Sequence, residues 1–76
     1  MHRQMDVTVK TRFNCAKERV ESFGNNKYIA YLPFASDTDA EAAVIALMSK
    51  HMGVPTGRFE LRRKDERTKD LVFQVS

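Results

Sequence analysis

Apolar and polar positions alternate at the start of the chain. Val7, Val9, Thr11 and Phe13 interleave with Thr8, Lys10 and Arg12. A period of two with β-branched residues predicts a strand with one face buried. Asn14-Cys15-Ala16-Lys17-Glu18-Arg19 breaks the pattern and reads as a connection, from which Val20 and Phe23 return to the core. Gly24-Asn25-Asn26 is a turn signal, because Gly and Asn tolerate positive φ.

A second strand is predicted over 27–34. Tyr28, Ile29, Tyr31, Leu32 and Phe34 are apolar on both parities, so periodicity does not say which face points inward. Pro33 lacks an N–H, which suggests a sheet edge there. Thr38 and Glu41 fit a capping box at the start of a helix. Ala40, Ala43, Val44, Leu47, Met48 and His51 follow at helical spacing, and Gly53 suits a left-handed cap at the end. After the Val54-Pro55-Thr56-Gly57 turn, Phe59 and Leu61 alternate with Arg58, Glu60 and Arg62 as a third strand. Lys64 to Thr68 forms a polar hairpin connection, and Leu71, Phe73 and Val75 mark a fourth strand.

These elements predict an α+β fold: a two-layer β-β-α-β-β domain, its four-stranded sheet covered on one face by one helix. Seventy-six residues suit one small domain, 1–76, with the first five expected to fray.

Charge shifts this picture slightly toward anionic partners. Thirteen Lys and Arg against ten Asp and Glu give a net +3. One cysteine, Cys15, permits no internal disulfide, and no apolar stretch reaches membrane-spanning length. A soluble cytoplasmic protein with no membrane partner is expected. No metal set or cofactor motif can be assembled. His2, His51 and Cys15 have no ligand spacing. Asp37, Asp39 and Glu41 read as acids favoured by the positive end of a helix dipole. The Gly53 to Gly57 loop contains Pro55, which removes an N–H that a phosphate would use. Nor does any nucleophile–base or acid–base pair stand out, so no enzyme is expected.

Several segments resemble the YggU-like family of small uncharacterised proteins. They are Val7-Thr8-Val9-Lys10, Asn14-Cys15-Ala16-Lys17, Arg19 to Phe23, Gly53-Val54-Pro55, Phe59-Glu60-Leu61 and Arg67-Thr68-Lys69. Phe34-Ala35, Glu41 and Arg63 stand where that family usually has a double proline, Asn and Gly. The resemblance implies a two-layer fold with the first and last strands as central neighbours, and no activity. A weaker likeness is to ubiquitin-like β-grasp domains, without a terminal Gly-Gly.

The leading functional expectation is a small non-enzymatic binding module for nucleic acid, RNA or DNA. Lys10, Arg12, Arg62, Arg63, Lys64, Arg67 and Lys69 are the candidate phosphate contacts. If Ile29 and Tyr31 face away from the helix, basic and aromatic residues share the open sheet face, which suits single strands. The alternative is a protein-interaction or homo-oligomerising domain, monomer or weak dimer, that uses Ile29 and Tyr31 or an edge strand.

Overall fold

In the computed structural model the described residues are 4–36 and 39–76. The expectations for His2, Asp37 and Thr38 lie outside them, the capping box included.

The chain forms β1 (Met5–Arg12), β2 (Arg19–Gly24), β3 (Lys27–Tyr31), α1 (Glu41–Met52), a 3-10 turn (Thr56–Arg58), β4 (Phe59–Asp65) and β5 (Asp70–Val75). The α+β class with one helix packed on a sheet stands. The sheet has five strands instead of four, in the order β2-β3-β1-β5-β4. β1 and β3 are parallel, and the other neighbouring pairs are antiparallel. The extra strand is β2, in the segment read as a connection. It forms a hairpin with β3 through the Gly24–Asn26 turn, where Asn26 has φ 56°. As an outer strand it buries little: only Val20 is half-buried, so the two-residue rhythm is faint. Phe23 does not return to the core; it is 47% exposed.

The core lies between the sheet and α1. Val7 and Val9 face Phe73 and Leu71 across the central β1–β5 pair, and all four are buried. Ala30 and Leu32 extend this layer on one side, and Phe59 and Val75 on the other. From above, α1 inserts Val44 and Met48, both fully buried. The helix ends as expected at Gly53, in the left-handed region at φ 71°, with its N–H donating to the Ser49 carbonyl at 2.9 Å. At the other end, Asp39 Oδ1 accepts from the Glu41 N–H at 3.1 Å.

Pro33 does not mark an edge. β3 lies between β2 and β1 and ends at Tyr31, and the Leu32 N–H donates to the Arg12 carbonyl at 2.8 Å. Nor is Met5 loose: β1 begins there, opposite Val75. No helix among the described residues is long and apolar enough to cross a membrane.

Candidate nucleic-acid interface

The inward side of β3 is fixed by α1. Tyr28, Ala30 and Leu32 lie on the helix side, with Ala30 and Leu32 fully buried. Ile29 and Tyr31 therefore belong to the opposite face, which α1 leaves uncovered. Residues paired across neighbouring strands share a face. The register then lays out this open face in rows.

Arg19, Tyr31 and Arg12 form the first row, from β2, β3 and β1. Glu21, Ile29, Lys10, Asp70 and Asp65 form the second, across the whole sheet. Lys27, Thr8, Val72 and Arg63 form the third. Asp6, Gln74 and Glu60 follow. Charge is unevenly spread. In the first three rows, the β2-β3-β1 half carries Lys10, Arg12, Arg19 and Lys27 against Glu21. In the same rows the β5-β4 half sets Arg63, with Arg62 at the bulge beside it, against Asp65 and Asp70; the fourth row adds one acid to each half, Asp6 and Glu60.

Tyr31 is the best-defined side chain on this face. Its hydroxyl donates to Glu21 Oε1 at 2.6 Å. The Arg19 guanidinium lies 4.2 Å from the ring centroid, and Arg19 also pairs with Glu21 at 3.3 Å. The hydrogen bond to Glu21 raises the phenol's pKa above its ordinary value. Slight desolvation and the Glu21 charge add to this, while Arg19 and Arg12 oppose it. The ring is thus pinned by Glu21 and Arg19, with Arg12 as its neighbour on the other strand. A guanidinium plane or an aromatic face can each stack a nucleobase.

The seven cations expected to contact phosphate do not form one surface. Lys10 and Arg12 sit at the centre of the open face, and neither forms an ion pair among the described residues. Arg62 and Arg63 lie at a bulge in β4, two strands away, and Arg62 is engaged by Glu60 at 3.3 Å. Lys64 is opposite buried Leu71 and so turns to the helix side. There it lines a cleft of about 330 Å³ with Lys69, Phe13 and Glu41. Lys64 and Lys69 share Glu66, at 3.6 and 3.9 Å. Arg67 stands exposed in the turn.

Asp65 organises that turn. Its Oδ1 accepts from the N–H groups of Arg67 at 2.9 Å and Thr68 at 3.2 Å. These donors, Thr68 first, hold its carboxyl below the ordinary carboxylate range. Thr11 Oγ1 donates to the Lys69 carbonyl at 2.6 Å, which ties the turn to β1. The basic stretch is therefore largely spent on its own hairpin.

Arg19 was missed because β2 was missed, and Lys27, which opens the expected second strand, because that strand's outward face was unassigned. The available signal was the short alternation Arg19-Val20-Glu21-Ser22-Phe23. Cys15 is half-buried in the loop after β1, its Sγ 3.6 Å from the carbonyls of Arg12 and Phe13. Among the described residues, no group of three or more His, Cys, Asp and Glu is placed to hold a metal ion. Set against family models, curated proteins and solved structures, the chain matches none of them.

Proposed function

We propose that this protein is a non-enzymatic binding module whose open sheet face takes single-stranded nucleic acid. The supporting observation is the row Arg19–Tyr31–Arg12, beside Ile29–Lys10, on the face that α1 leaves bare. Lys10, Arg12 and Lys27 would meet phosphates, and the Arg19–Tyr31 stack would meet a base. The interface centres on β3 and β1. The cations of the β4–β5 hairpin serve at most its margin.

The test is an amide-shift titration with short single-stranded RNA and DNA at two salt concentrations. Shifts should gather at Lys10, Arg12, Lys27, Ile29 and Tyr31. With three or four phosphates contacted at about −0.7 each, the log–log salt slope should be about −2 to −3. Absence of shifts at low salt would remove this reading.

A second reading, a protein contact on the same face, rests on Ile29 and Tyr31, two partly exposed side chains with large apolar surface that lie together on it. Under that reading oligonucleotides do nothing, and a concentration-dependent mass or a captured protein shifts the same residues. We also propose membership of the YggU-like family, supported by the adjacency of β1 and β5. A cytoplasmic location is proposed on the single free cysteine.

A further inference from the structure

The sheet has two outer strands, and the chain treats them differently. β4 carries Arg62-Arg63-Lys64 in succession and a bulge between Leu61 and Arg63. Charge and a bulge are the usual means of keeping an edge from pairing with another chain. β2 pairs regularly from Arg19 to Ser22 and is irregular only at its far end. Alongside it runs a groove of about 380 Å³ between β2 and α1. Val20, Ala46 and Leu47 supply its apolar surface, Lys50 and His51 stand at one end, and Glu18 and Arg19, of opposite charge, complete the lining. Tyr28 locates that end: it is opposite Ser22 in the sheet, and its ring meets His51 edge-on at 5.7 Å. Lys50 forms no ion pair among the described residues.

We infer that the free edge of β2 binds an extended acidic peptide segment of a partner protein, as a sixth strand. This goes beyond the nucleic-acid reading and uses the strand edge instead of the open face, the two meeting at Arg19. In an added strand, alternate side chains point toward α1. One aliphatic side chain would rest on Val20, Ala46 and Leu47. An acidic side chain two positions along would face Lys50, which supplies the complementary charge, beside His51. A second copy of this chain fits the edge poorly. The register that aligns Arg19–Phe23 with itself sets Glu21 directly opposite Glu21, and like charges so placed are destabilising.

The test uses the intact protein and a blocked octapeptide, Thr-Val-Thr-Val-Thr-Asp-Thr-Asp, followed by amide shifts and amide hydrogen exchange. A second peptide carries Lys in place of Asp. The acidic peptide should bind with a Kd below about 1 mM. It should shift Arg19 to Ser22, Leu47 and Lys50, and slow exchange at alternate β2 amides. Ala46→Glu and Lys50→Glu change exposed positions, so the fold should persist, and each should weaken binding by about tenfold or more. Equal binding of the Lys peptide, shifts confined to the open face or β4, or no shifts at millimolar peptide would each overturn the proposal. So would dimerisation through β2 without peptide.

Discussion

At the scale of single residues, the clearest charge effect is at Asp65. Two backbone N–H groups favour its ionised form in the folded chain. A carboxyl whose folded pKa is depressed stabilises the fold fully above its unfolded pKa, about 3.9. That contribution disappears as pH falls through the lower folded value. Thermal unfolding followed between about pH 2 and 5 should show Asp65→Asn losing less stability on acidification than the parent. Parallel acid profiles for the two proteins would mean that Asp65 is not the titrating group. Asp70 closes the same turn. Its Oδ1 is buried without a hydrogen-bond partner among the described residues, opposite both Lys10 and Asp65. The turn between them also holds Lys69 at φ 64°, a left-handed conformation that costs a residue with a Cβ about 1–2 kcal/mol. The Lys69 side chain is 40% exposed and its ion pair to Glu66 is long at 3.9 Å, so Lys69→Gly should raise the unfolding midpoint. A lowered midpoint would show that the Thr11 bond to this turn depends on the side chain of Lys69.

At the scale of elements, α1 is held by its buried stripe more than by its ends. Its first turn has no side-chain cap from Ala40, whereas Met48 is fully buried against the sheet. Met48→Ala should cost about 2–5 kcal/mol, measured by denaturant unfolding. A loss below about 1 kcal/mol would mean that the layer collapses around the gap. The helix was legible in the sequence because its period and its Gly53 terminus agree. β1, β4 and β5 were legible because each alternates cleanly. β2 was not, since alternation records burial and an outer strand over the rim of a short helix buries almost nothing. The inward face of β3 was hidden for the opposite reason. Tyr31 and Ile29 are as apolar as Tyr28 and Ala30, and only the position of α1 separates them. The candidate surface inherited both gaps. Without β2 there was no Arg19 beside Tyr31, and the density of cations drew attention to a hairpin that neutralises much of its own charge.

At the scale of the molecule, one layer of side chains serves the whole sheet. Phe73 is its largest fully buried member and meets Phe59 edge-on at 6.2 Å. A domain of this size has a total stability of about 4–11 kcal/mol. Phe73→Ala should remove about 3–5 kcal/mol of this, read by circular dichroism as a much lower denaturant midpoint. A cooperative transition within about 1 kcal/mol of the parent would show that the two layers are less interdependent than their shared core implies.

The strand order also bears on how the chain is made. β1, from the first dozen residues, ends up in the middle of the sheet, and its second neighbour is β5, which closes at Val75. A ribosome releases these partners far apart in time, with every other element made between them. Until the last strand emerges, Val7 and Val9 have β3 on one side and nothing on the other, and β4 has no place to attach. Early local structure is limited to the β2–β3 hairpin and the helix. Pairings this distant along the chain are slow to close. β1 therefore waits with one edge unpaired until β5 has been made, and the sheet becomes one object only then.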